Sequence, residues 1–98
     1  MKQFHSPTAT VGEHLADLME EYDIKAPTLA MRLHVGRSRL QRLLDGARCD
    51  GDMALRLGRF FGMTPQSWIN LQTLRDLSKA QVEEGSTIIE TVGPYESA

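Results

Sequence analysis

Residues 26–44 read APTLAMRLHVGRSRLQRLL, and this stretch decides the fold. Pro27 fits the first turn of a helix, where its missing N–H costs nothing. Leu29, Ala30 and Leu33 give that helix one apolar face. The chain then turns at His34-Val35-Gly36, and a second helix runs from about Arg37 to Leu44. Leu40, Leu43 and Leu44 fall on one side of it, and Arg37, Ser38, Gln41 and Arg42 on the other. Asp45-Gly46 ends it, with Gly46 suited to a left-handed cap. Ala30 sits where the two helices approach most closely, and Leu33 and Val35 pin the turn between them. Two short helices, a tight turn and arginines on the exposed face of the second make a helix-turn-helix.

The flanks complete an all-α, five-helix Cro/repressor-like arrangement. Upstream, Thr10 and Glu13 have capping-box spacing. Val11, Leu15, Leu18, Met19 and Tyr22 then recur at helical spacing, predicting a helix over about Val11 to Tyr22. Downstream, Asp50 or Asp52 caps a helix carrying Met53, Leu57, Phe60 and Phe61 on one face, stopped at Gly62. Thr64-Pro65 starts a fifth helix, expected to reach about Glu83. Trp68, Ile69, Leu71, Leu74 and Leu77 make it apolar over a wider arc than one core contact requires. The expected organisation is an N-terminal arm over 1–10, a helix-turn-helix domain with its C-terminal dimerisation helix over 11–84, and a tail over 85–98. Thr87–Val92 in that tail is rich in β-branched residues, so the tail is read as a strand or as disordered.

Charge sharpens the reading. The 98 residues carry 11 basic and 13 acidic side chains, a net of −2, which alone argues against nucleic acid. The charge is segregated, however. Over residues 1–23, Lys2 stands against Glu13, Asp17, Glu20, Glu21 and Asp23, a net of −4. Over residues 32–59, seven arginines (32, 37, 39, 42, 48, 56 and 59) stand against Asp45, Asp50 and Asp52, a net of +4. Arginine's planar fork suits phosphates and guanine edges better than a lysine point charge does. Arg56 and Arg59 read as solvated or paired with acidic neighbours, and Arg48 as a phosphate contact or plainly exposed. The acidic face of the first helix is a solubility feature or a docking surface for a cationic partner.

Other chemistries are excluded. A single cysteine, Cys49, precludes an internal disulfide framework and points to a reducing, cytoplasmic setting. Residues 1–10 hold no apolar stretch like that of a signal peptide, and no run approaches the roughly 18 apolar residues of a membrane span. His5, His14, His34 and Cys49 lack metal-ligand spacing. Nothing near Cys49 suggests a base to activate it, and no glycine-rich phosphate loop is present. The reading is of a protein that is not an enzyme and needs no cofactor or metal.

Three segments, VGRSRLQRLLDG (35–46), MALRLGRFFG (53–62) and TPQSWINLQ (64–72), resemble the HigA-type antitoxins, a branch of the XRE/Cro-like helix-turn-helix proteins. The likeness covers about Val11 to Ala80. It implies a homodimer that binds a palindromic operator ahead of its own operon and represses transcription. It also implies a partner toxin, a small basic RelE-like mRNA-cleaving enzyme of HigB type, which the antitoxin neutralises. Carried over to this chain, the recognition-helix residues are Arg37, Ser38, Arg39, Gln41 and Arg42; each monomer is further expected to contribute phosphate contacts from Lys25, Arg32, Arg39 or Arg48. The implied dimer contacts are Trp68, Leu71 and Leu74, with Trp68 shared between core and seam. Two positions depart from the pattern: His34 stands where the family usually has glycine, and Lys25-Ala26 where it tends to have Ser-Gln. The alternatives are a stand-alone repressor without a toxin and an interaction adaptor that has lost DNA binding.

Overall fold

Thr10 starts the first helix as its spacing requires. Its hydroxyl accepts from the Glu13 amide, and the Glu13 carboxylate accepts from the Thr10 amide, closing the capping box. In the computed structural model, which describes residues 5–96, five helices follow one another: α1 (Val11–Glu21), α2 (Ala26–Leu33), α3 (Arg37–Leu44), α4 (Gly51–Phe61) and α5 (Pro65–Thr91). Residues 1–4 of the expected arm and 97–98 of the expected tail lie outside the described residues.

The core is one cluster drawn from all five helices. Val11 and Leu15 of α1, Leu29 and Leu33 of α2, Leu40 and Leu43 of α3, Met53 and Leu57 of α4 and Trp68 of α5 are all buried. The closest crossing is between α1 and α3. A Cβ on Gly12 would lie 2.1 Å from the carbonyl oxygen of Leu43, so only glycine lets the two backbones meet there. Ala30, buried at the expected close approach of α2, supplies the other small residue.

The turn between α2 and α3 depends on His34. It ends α2 in the left-handed conformation, φ 58 and ψ 44, which the family pattern fills with glycine. The amides of His34 and Val35 donate to Met31 and Ala30 carbonyls. Arg56 of α4 donates to the carbonyls of Leu33 and His34, at 2.9 and 3.3 Å. The last orphan carbonyls of α2 are thus satisfied from a third helix.

The fifth helix corrects one expectation. Thr87–Thr91, expected as a strand or disordered segment, forms the last turns of α5, which spans 27 residues. Local β-preference loses because extending an existing helix adds one hydrogen bond per residue without a new nucleus. Thr91 supports this by donating its hydroxyl to the Thr87 carbonyl. A strand would need a partner strand, and the described residues contain none. The far half of α5 projects from the body and lengthens the molecule to 59 Å, against 24 and 22 Å across.

Residues leading into α1 are tied to this helix. The Thr8 amide donates to the hydroxyl of Ser78, which is fully buried, and Arg75 donates to the Thr8 carbonyl at 2.7 Å.

Candidate nucleic-acid interface

Leu40 and Leu43 sink into the core, and their burial fixes which face of α3 looks outward. That face carries Arg37, Ser38, Gln41 and Arg42, all exposed. Arg37 and Arg42 enter no ion pair among the described residues. Gln41 leans along the helix and donates to Asp45. The helix N-terminus, with no side-chain cap at Gly36, adds its partial positive charge at the same end. Lys25, the N-cap of α2, is exposed and makes no capping bond itself. A concavity of about 390 Å³ opens between the starts of α2 and α3, lined by Ala26, Pro27, Arg37, Ser38 and Gln41.

Two of the expected phosphate-binding arginines are engaged within the protein. Arg39, on the flank of α3 nearest α4, donates one terminal nitrogen to Asp52 at 2.8 Å and to Asp50 at 3.3 Å. Asp50 is also the cap of α4, accepting from the Met53 amide, whereas Asp52 lies inside the first turn and serves as an ion-pair partner. Arg56 donates to the same Asp52 oxygen at 2.7 Å. Hydrogen bonds from Arg56 and then Arg39 hold the Asp52 carboxyl below the usual carboxylate range. Arg48, in the loop after α3, pairs with Asp76 of α5. That bond, with help from Gln72, likewise lowers the Asp76 pKa against its slight desolvation.

The α3–α4 loop has a second, buried anchor that the sequence did not reveal. Gln72 of α5 is 5% exposed, and its amide oxygen accepts from the Cys49 amide at 2.8 Å. Its amide nitrogen donates to Asp76 at 3.0 Å. One turn of α5 therefore holds both ends of the link to this loop. Spacing shows that Gln72 and Asp76 are neighbours on a helix, and shows nothing of the loop they grip. The Cys49 thiol beside them is buried, and burial pushes its pKa up to about 11, so it is a protonated packing group. Among the described residues no three His, Cys, Asp or Glu side chains are grouped to hold a metal ion.

The expected dimer residues separate. Trp68 is fully buried in the protomer, against Phe61, and its Nε1 finds no partner. Its expected place on a seam gives way to a core position: the wide apolar arc of α5 wraps part of itself against α4. Leu71 is half-buried, while Leu74 and Leu77 are exposed. No helix among the described residues is long and apolar enough to cross a membrane.

No protein-family model matches the chain. The chain is 35% identical over 101 residues to YbaQ, an uncharacterised helix-turn-helix transcriptional regulator of Escherichia coli, covering 97% of this chain and 89% of YbaQ. The fold is similar to an addiction-module antidote protein of the HigA family from Coxiella burnetii, with TM-score 0.84 and 36% identity over 97% of this chain and all of the other. It is also similar to antitoxin HigA of Pseudomonas aeruginosa, solved with the higBA promoter, with TM-score 0.85 and 32% identity over 90% and 98% of the two chains.

Proposed function

The chain belongs to the HigA-type antitoxin family of helix-turn-helix proteins, and from that premise we propose that it is the antitoxin of a type II toxin–antitoxin module. It binds its own palindromic operator as a homodimer, represses transcription, and neutralises a RelE-like mRNA-cleaving toxin of HigB type. It acts in the cytoplasm, by binding and without catalysing a reaction. The observation that carries this reading is the outward face of α3. Buried Leu40 and Leu43 fix the helix, and Arg37, Ser38, Gln41 and Arg42 project from it. In a helix-turn-helix, that face enters the major groove.

The roles divide by chemistry. Arg37, Gln41 and Arg42 suit base edges, where a good bidentate pair supplies roughly 1–3 kcal/mol of discrimination. Ser38 and Lys25 suit backbone contacts. Arg39 and Arg48 reach phosphate by leaving Asp52 and Asp76. The dimer seam runs along α5 through Leu71 and Leu74, with Trp68 supporting it from beneath. The acidic face of α1 suits a basic toxin.

The deciding experiment joins two measurements. The chain is co-expressed with the product of the adjacent gene, and its binding to a duplex of its own promoter is titrated against salt. A stable complex together with steeply salt-dependent promoter binding supports the antitoxin. The likeness to YbaQ favours a second reading, a stand-alone repressor, in which promoter binding persists and no neighbouring product is neutralised.

A further inference from the structure

The concavity between α2 and α3 has a mostly apolar lining on a face otherwise built for a polyanion. Ala26 and Pro27 line it together with Arg37, Ser38 and Gln41. Ala26 and Pro27 stand at the first turn of α2, where a helix normally offers amides to phosphate. Pro27 has no amide hydrogen to offer. That turn therefore offers phosphate one amide fewer, leaving Lys25 and Ser38 beside it for the backbone, and its apolar surface borders the face assigned above to base reading. Major-groove edges display hydrogen-bond donors and acceptors and a single kind of apolar group, the 5-methyl of thymine.

We infer that this concavity is a thymine-reading subsite, in which Ala26 and Pro27 pack against the 5-methyl group while Gln41 and Arg37 meet the neighbouring base edges. The inference rests on the operator-binding reading and deepens it. Each half-site then contains one thymine whose methyl group, rather than its hydrogen-bonding edge, is recognised. Pro27 is exposed and makes the contact from a rigid ring, so no side-chain freedom is lost on binding.

The test begins with selection of the full chain on a pool of randomised duplexes. The enriched half-site is then rebuilt with deoxyuridine in place of each thymine in turn, a change that removes only the methyl group. One position per half-site is expected to lose about fourfold in affinity, the worth of one methyl group withdrawn from water. Pro27→Ser, at a helix position that tolerates serine, is expected to bind the thymine and uracil duplexes within twofold of each other while keeping the wild-type melting profile. An enriched half-site that binds equally well with uracil at every position overturns the subsite and leaves operator binding intact. An uracil penalty that persists unchanged in Pro27→Ser also overturns it. A pool with no enriched sequence overturns the operator reading and the subsite together.

Discussion

Arg39 of α3 and Asp52 of α4 are joined by a 2.8 Å hydrogen bond that keeps a cation on the flank of α3 occupied inside the protein. Arg48 and Asp76 stand in the same relation across the α3–α4 loop and α5. A phosphate must compete with a carboxylate for each of these arginines. On the proposed operator-binding function, the arrangement is expected to restrain sequence-independent binding, which depends on the number of phosphates neutralised.

Replacing Asp52 and Asp76 should loosen that restraint, leaving Arg39 only its longer bond to Asp50. The Asp52→Asn/Asp76→Asn double variant is expected to bind non-operator duplex more tightly than the wild type. Its plot of log affinity against log salt should steepen by about 0.9 for each arginine freed. Fluorescence anisotropy over a salt series measures both. A Glu83→Gln/Glu84→Gln control makes the same change in net charge on exposed α5 residues. An equal effect in that control would assign the result to total charge instead.

The same carboxylates set an acid limit on stability. Both pKa values are lowered in the folded protein by arginine hydrogen bonds, from the ordinary aspartate value of 3.8. The unfolded chain therefore takes up protons first as pH falls. Their contribution is fully present above about pH 5 and is lost as pH drops through 3.8 towards the folded values. Urea midpoints measured from pH 7 to pH 3 should fall over that window, and fall less in the double asparagine variant. Asp52 is exposed and Asp76 only half-buried, so solvent screening keeps the effect small.

Base reading is tested on α3. Arg37→Ala and Arg42→Ala should each weaken binding to the promoter duplex by roughly 1–3 kcal/mol while leaving self-association and toxin binding unchanged. Normal promoter binding by both variants would move the recognition face elsewhere.

Core and seam are separable on α5. Trp68→Ala should destabilise the protomer by about 3–5 kcal/mol, because a fully buried ring is lost. Trp68→Phe should cost much less, since it discards an N–H that has no partner. Leu74→Glu acts at the surface. It should dissociate the dimer in sedimentation experiments while leaving the urea midpoint of the protomer nearly unchanged. A dimer that survives Leu74→Glu would place the seam off this face.

The helix-turn-helix was legible because its signals are local. Leu40 and Leu43 at helical spacing, the small Ala30 and the turn before Arg37 depend only on near neighbours, and α3 occupies the expected Arg37–Leu44. The pairing of Asp52 with Arg56 was within reach too, as an i,i+4 spacing on one helix. Arg48 and Asp76 are 28 positions apart, and Cys49 and Gln72 are 23. Those pairs arise only when α5 packs back on α4, so no local pattern announces them. Trp68 was half legible: the apolar arc of α5 was evident, but not which part of it the protomer would bury. Thr87–Thr91 misled because intrinsic preference was outweighed by the helix already running into it.

In a dimer built on α5, the link from Gln72 and Asp76 to the α3–α4 loop makes that helix a measuring rod. Inward, it grips the loop that follows the recognition helix; two residues from Gln72, Leu74 points outward towards a second copy. The separation of the two recognition helices is then fixed by a single rigid element, and with it the number of base pairs between half-sites. Repacking the seam by one residue slides the protomers by about 1.5 Å along the helix axis. Such changes would retune the preferred operator spacing and leave untouched the bases read within each half.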